Sequence, residues 1–267
     1  MSQRTEQNGR TAMMTRKVLT LVLLALSLAA PGLHAQTGAP PAAAANPVDP
    51  AAIQALKDMG AHLQSLKRFR VSTQLSGERV LADGQKLQHT ASADMDIERP
   101  NRLRARMLSA RAERELIYDG KTVTLWTPAQ NYFSTVAFTE TLDVLVKRLE
   151  ERYGVEIPLS DLFLWGTAAA PLEKMESAMN AGQDFIGKDL CDHYAFRQGT
   201  IDWQIWITVG AKPLPRKLVI VNRADDARPQ SVSLIEWNLK PGFTNAVFTF
   251  TPPKGAKAIE LLPLTAK

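Results

Sequence analysis

The sequence predicts an α+β fold built on a long antiparallel β-sheet with one apolar and one wet face, and three observations carry that prediction. First, residues 94–136 alternate at period two: Met95 and Ile97 against Asp94, Asp96 and Glu98, then Leu103, Ala105 and Met107 against Arg102, Arg104 and Arg106. Alternation of this kind marks a strand with one buried and one solvated face. Second, Asp83-Gly84 and Asp119-Gly120 each sit between such runs, a strong hairpin signal. Third, the helical patterns fall in two places rather than between successive strands, which argues against a parallel α/β architecture.

The elements follow in order. Residues 51–67 form an amphipathic helix, with Ile53, Leu56, Met59, Leu63 and Leu66 at three- and four-residue spacing. Asp49-Pro50 supplies its N-cap and first-turn proline. Strands are expected at 69–80, 85–98, 103–108, 114–119, 122–127 and 132–136. The period then changes, and Leu142, Leu145, Val146, Leu149 and Tyr153 share one side of a helix from about residue 139 to 153. Residues 158–165 read as a short, very apolar helical turn, and 171–181 as a third helical piece carrying Leu172, Met175 and Met179. Strands resume at Asp184. Ile201, Trp203, Ile205, Ile207 and Val209 alternate without a break, and runs at 218–222, 232–239 and 247–251 complete the set.

The first 35 residues read as a secretory signal peptide: Arg16 and Lys17 precede the apolar run 18–30, and Leu33-His34-Ala35 offers a small residue for cleavage. No cysteine follows the run at the cleavage point, so no N-terminal lipid anchor of the bacterial lipoprotein kind is expected. Residues 36–50 are Ala-, Pro- and Gly-rich and read as a disordered tether, leaving 51–267 as one domain. The formal charge of +5 includes about +3 from the leader (Arg4, Arg10, Arg16 and Lys17 against Glu6), so the mature chain carries about +2 and its basicity gives no nucleic-acid reading. The single cysteine, Cys191, cannot form an internal disulfide.

Candidate chemistry is sparse. Asp189, Cys191 and His193 are spaced by two and leave one face of a strand, as metal ligands or an activated thiolate would. The same spacing suits a half-buried strand in which Cys191 packs as a small apolar residue, and His62 and His89 lie in no ligand-like cluster. The chain has no Gly-x-Ser-x-Gly elbow and no phosphate-cradling glycine loop. No catalytic residue, metal or cofactor is expected. Arg102, Arg104 and Arg106, with Arg111 and Arg114 nearby, read either as a contact for anionic headgroups or an acidic partner, or as a wet face balanced by Glu98, Glu113 and Glu115. Five tryptophans (126, 165, 203, 206 and 237) lie on strands and on the short middle helix. Around Trp165, with Leu162, Phe163 and Leu164, the turn is apolar on every side, so it is deeply buried or dips into a cavity. Met175 and Met179 suit a pliable lining.

Glu98-Arg99-Pro100-Asn101-Arg102-Leu103-Arg104, the hairpin Tyr118-Asp119-Gly120-Lys121-Thr122 and the closing Phe248-Thr249-Phe250-Thr251-Pro252-Pro253 together resemble the LolA/LolB lipoprotein-carrier superfamily. With Gly187-Lys188-Asp189-Leu190-Cys191-Asp192-His193, the chain is more closely similar to the predicted periplasmic family called domain of unknown function 2092. The resemblance spans about residues 51–265 and implies a strongly curved sheet, an incomplete barrel, with helices covering its concave face. It further implies a cavity lined by Leu103, Ala105, Met107 and Trp126 and lidded by Leu142, Leu145, Leu149, Leu162, Phe163 and Trp165. The expected protein is non-enzymatic and periplasmic. It binds lipid, lipoprotein acyl chains or another elongated apolar ligand, with at most peripheral membrane contact. The alternative is a stress-sensor or scaffold module of the same fold that binds an envelope protein.

Overall fold

A computed structural model describes residues 48–264. The expected leader and most of the expected tether lie outside the described residues. The tether's last three residues belong to the fold: Val48 bridges to Ala178, the Asp49 N–H donates to the Ala178 carbonyl (2.9 Å), and the Asp49 carboxylate accepts from the Ala51 N–H (2.9 Å). Asp49 thereby caps α1 (Pro50–Ser65).

After α1 the chain runs through β1 (Arg68–Val80), β2 (Lys86–Glu98), β3 (Arg102–Leu108), β4 (Glu113–Tyr118), β5 (Thr122–Thr127) and β6 (Tyr132–Ala137). Helices α2 (Leu142–Tyr153) and α3 (Asp161–Leu164) follow. The chain continues through β7 (Met175–Ile186), β8 (Asp189–Gln198), β9 (Ile201–Thr208), β10 (Pro215–Asn222), β11 (Gln230–Asn238), a 3₁₀ turn (Asn245–Phe248) and β12 (Lys257–Ala258). All twelve strands join one sheet in the order β12-β6-β5-β4-β3-β2-β1-β11-β10-β9-β8-β7. The two meanders meet where β1 pairs antiparallel with β11, and among the described strand pairs β12 with β6 is the parallel one, besides the isolated parallel bridge of Val48 to Ala178. This is the large antiparallel sheet with few helices that the alternation predicts. Both Asp-Gly turns behave as their chemistry requires: Gly84 and Gly120 take positive φ (85° and 91°), and the Asp119 carboxylate accepts the amides of Lys121 (2.8 Å) and Thr122 (2.7 Å).

Period two assigns the two sheet faces. On one, Val71, Met95, Ala105 and Leu116 lie in cross-strand register, and they share one apolar cluster with Leu56, Met59 and Leu63 of α1 and Leu142, Leu145 and Leu149 of α2. The other face carries ion pairs: Arg70–Asp96 (2.7 Å), Arg102–Glu98 (3.0 Å), Arg106–Glu113 (2.5 Å) and Arg104–Glu115. The strip Arg102, Arg104 and Arg106 is thus the balanced wet face. Such pairs are worth about 0–1 kcal/mol each.

Two elements differ from expectation. Residues 171–181 are not helical, because β7 starts at Met175 and pairs with β8 along its length, with register shifts between Met175 and Ser177 and between Asn180 and Gly182. The helix-like spacing of Leu172, Met175 and Met179 is overridden by a neighbouring strand that satisfies the backbone. Met175 packs half-buried on the core and Met179 is 41% exposed, so the two do not line a common wall. Residues 247–251 do not form a strand either. They belong to a strap over the wet face, where the Phe243 ring lies under Arg68 (4.2 Å), Phe248 meets Phe243 edge-on (5.5 Å), and Phe250 contacts Trp126 (5.9 Å) and Phe133 (5.2 Å). Burying these rings rewards leaving the sheet more than a further ladder would. β12 then rejoins the sheet beside β6.

Candidate functional site

The apolar turn at 161–165 defines the site. Leu162, Phe163 and Trp165 are buried, and the Trp165 ring meets Trp203 of β9 at 5.9 Å, which in turn stacks on Phe196 of β8 at 4.2 Å. Between this turn and the sheet lies a cavity of about 140 Å³, walled mainly by Leu162, Trp165, Trp203, Ile205, Leu218 and Ile220. Asp161 and Gln198 are the polar members of the wall, and a space of that scale admits a benzene-sized molecule.

The turn is held down from two sides. Gly60 of α1 and Gly166 approach so closely that a Cβ on Gly60 would lie 2.5 Å from the Gly166 nitrogen. Beside that contact, the Gln64 amide donates to the Trp165 carbonyl (2.7 Å). On the other side Arg99 donates to the Leu162 carbonyl (3.4 Å), with its guanidinium 6.0 Å from the Phe163 ring. Burial pulls the Arg99 pKa below its ordinary value, with Asp143 opposing. Asp161 belongs to the cavity wall, and its carboxylate has no hydrogen bond or ion pair among the described residues. Burial, then the charge of Glu150, pushes its pKa above the ordinary 3.8.

The expected lining residues separate into groups. Leu162 and Trp165 face the cavity, and Phe163 is buried beside it. Leu103, Leu142, Leu145 and Leu149 are fully packed core. Ala105 and Met107 border a 40 Å³ void with Leu116, Leu125, Arg114 and Glu156, and Met107 also lines a wider groove. Trp126 is on the opposite face: it is the cross-strand partner of Glu115 and Phe133, one residue out of phase with Leu125, and the strap covers it. A one-residue step changes face, so Trp126 does not line the cavity. The wall residues that were not anticipated (Trp203, Ile205, Leu218 and Ile220) come from the second meander. The unbroken alternation at 201–209 was the available signal for the first two.

On the same face a wider groove of about 530 Å³ adjoins the cavity. Its floor is made of Leu75, Gly77, His89, Ala91, Ser231 and Ser233. Ser233 pairs with Leu218 and Ser231 with Ile220, so the groove begins where the cavity wall ends.

A family model described as predicted periplasmic protein (DUF2092) matches residues 52–262. The chain belongs to this family. The DUF2092 protein is accordingly periplasmic. No curated protein matches it. Among solved structures it is similar to LprF from Mycobacterium bovis (12% identity, 79% of this chain and 100% of the other, TM-score 0.45). It is also similar to the Mycobacterium tuberculosis lipoprotein LppX (11%, 72% and 97%, TM-score 0.46) and to the LolA superfamily protein NE2245 from Nitrosomonas europaea (10%, 74% and 97%, TM-score 0.36).

In this DUF2092 chain the Asp189, Cys191 and His193 side chains are each engaged separately. Cys191 is fully buried against Trp206 and Val219 in a small cluster on the wet face, and burial pushes its thiol up. Asp189 pairs with Arg216 (2.5 Å). His193 stacks on Trp206 (4.0 Å, 10°), with Nε2 2.9 Å from the Gln204 carboxamide oxygen. Among the described residues no group of three or more His, Cys, Asp or Glu is placed to hold a metal ion.

Proposed function

We propose that this is an exported, non-catalytic binding protein that shelters an elongated apolar ligand, a lipid or a lipoprotein acyl chain. In this reading the ligand lies between the helices and a sheet that curls as an incomplete barrel, and the leader at 1–35 directs export. The observation that carries the reading is the cavity under Trp165, whose walls are almost wholly apolar. Its size sets the energetics. If a methylene occupies about the 30 Å³ of a liquid water, the cavity takes roughly five methylenes, worth ~4 kcal/mol at about 0.8 kcal/mol each. That alone gives affinity of order 1 mM. The remainder of a long chain must lie in the adjoining groove, or the α3 turn must move aside.

A non-catalytic role is supported by what the polar candidates already do: Cys191 is a buried thiol, His193 is stacked, and Asp189 is paired. Organic extraction of natively purified protein followed by mass spectrometry tests the reading, together with thermal stabilisation of the delipidated chain by phospholipids and fatty acids. Stoichiometric lipid and a raised Tm are expected, and neither appearing would sink it. One observation favours the second reading, a scaffold that binds an envelope protein: Phe185, 72% exposed, forms an apolar row with the exposed Leu190 and Val209. Loss of a stoichiometric envelope complex on Phe185→Ser would carry it.

A further inference from the structure

We propose that the groove beside the cavity is a headgroup site, and that the ligand is an anionic amphiphile whose charge is read by Arg111 and Arg114. This deepens the proposed function and rests on it. The residues lining the groove include Arg111, Arg114 and His89, and no carboxylate. Neither arginine has an ion pair or a side-chain hydrogen bond among the described residues, whereas the strand arginines 68, 70, 102, 104 and 106 all do.

The sheet explains why Arg114 stands apart. Its sequence neighbours are Glu113 and Glu115, the nearest carboxylates along the chain. Alternation turns both to the wet face, where they pair with Arg106 and Arg104. Arg114 faces the other way, in register with Met107 of β3. Arg111 comes from the β3–β4 turn to the same groove. Two cations beside a partly apolar floor form a site for a guanidinium-bound anion such as a phosphate ester.

The floor extends from that site to the cavity. Ala91, Leu75, Ser233, Leu218 and Ile205 form one cross-strand row over five adjacent strands. Four inter-strand spacings of about 4.8 Å make it roughly 19 Å long. Gly77, Ser231, Ile220 and Trp203 run beside it in the next row. Ala91, Ser231 and Ser233 under the groove are smaller than Leu218, Ile205, Ile220 and Trp203 in the cavity, and the His89 ring lies over Gly77, so the headgroup end is the roomier and more polar of the two. An anion without a tail would leave this row unused.

The test is titration calorimetry on the delipidated protein with dioctanoyl phosphatidylglycerol, dioctanoylglycerol and inorganic phosphate. The wild type is expected to bind the anionic lipid at least about tenfold more tightly than the uncharged one, a preference that falls in 1 M salt, with no measurable phosphate binding. In Arg111→Ala/Arg114→Ala the ratio falls to about one, while the urea midpoint, checked in parallel, reports that the exposed substitutions leave the fold in place. Equal binding of both lipids by the wild type, or an undiminished ratio in the double variant, overturns the headgroup site and leaves the apolar-ligand reading standing. Phosphate binding as tight as the anionic lipid overturns the amphiphile. If neither lipid binds, the ligand reading itself fails.

Discussion

Replacing Gly60 by Ala tests whether the cavity's cover is as tightly seated as the structure has it, because two effects of opposite sign compete at that position. Gly60 lies inside α1, where alanine is worth about 1 kcal/mol more than glycine in helix propensity. Against that, the new Cβ would meet backbone: 2.5 Å to the Gly166 nitrogen, 2.9 Å to its Cα and 3.1 Å to the Trp165 carbonyl carbon. Ordinary contact begins at 3.4 Å, so the segment after α3 must withdraw by about 1 Å. Neither partner is a flexible side-chain tip that could swing away. Overpacking of this kind costs about 1–3 kcal/mol, and the withdrawal also weakens the hydrogen bond from Gln64 to the Trp165 carbonyl, worth about 1 kcal/mol. The net expectation is a loss of about 1–3 kcal/mol, read as a lower urea midpoint at unchanged m. A higher midpoint would mean that propensity acts alone and that α1 does not press on the cover.

The remaining predictions concern other parts of the molecule. Asp161→Asn should raise stability at neutral pH by up to about 1 kcal/mol, since a half-buried carboxylate with no partner among the described residues disappears. The folded-state pKa of Asp161 is raised, so the folded chain holds its proton more tightly than the unfolded one, and stability declines as pH rises above 3.8. The variant's pH–stability profile should lack that decline, and superimposable profiles would refute the placement. Phe248 of the strap, 2% exposed, should cost about 3–5 kcal/mol on replacement by Ala, and a change under about 1 kcal/mol would mean the strap is not part of the core. Tyr118 donates to the Glu140 carbonyl (2.5 Å), and burial, then the charges of Asp119 and Glu140, pushes its phenol up to about 12. Ultraviolet titration should find one tyrosine ionising near that value, with stability falling as pH rises from the ordinary 10.0 toward it.

Much of the sheet was legible because period two is a local property. The runs at 94–136 and 201–209, the two Asp-Gly turns and the Asp49 cap all stand where side-chain chemistry puts them. At residues 171–181 three apolar residues at helical spacing fit both a helix and an irregular strand, and pairing with β8 decides between them. Trp126 was misassigned for a related reason. Its burial was foreseeable, but its face depends on being in phase with Glu115 rather than Leu116. The closing Phe-x-Phe segment has the alternation of a strand, yet the aromatic partners of Phe250 (Trp126 and Phe133) lie more than a hundred residues away in sequence.

What the sequence alone determined, then, is what neighbours a few residues apart set: most strand faces, the hairpin turns, the helices α1 and α2, and the motifs that carry the family. The tertiary structure alone decided how the two meanders join and what that junction encloses. Pairing of β1 with β11 sets Leu75 against Ser233, which already faces Leu218 of β10, and so brings the mostly apolar cavity and the open groove onto one floor. No local pattern encodes that adjacency, because register between strands this far apart in sequence is fixed by burial of the whole face at once. Strand alternation, by contrast, is what leaves Arg114 without an ion pair although glutamates flank it on both sides: both lie on the opposite face, where other arginines hold them.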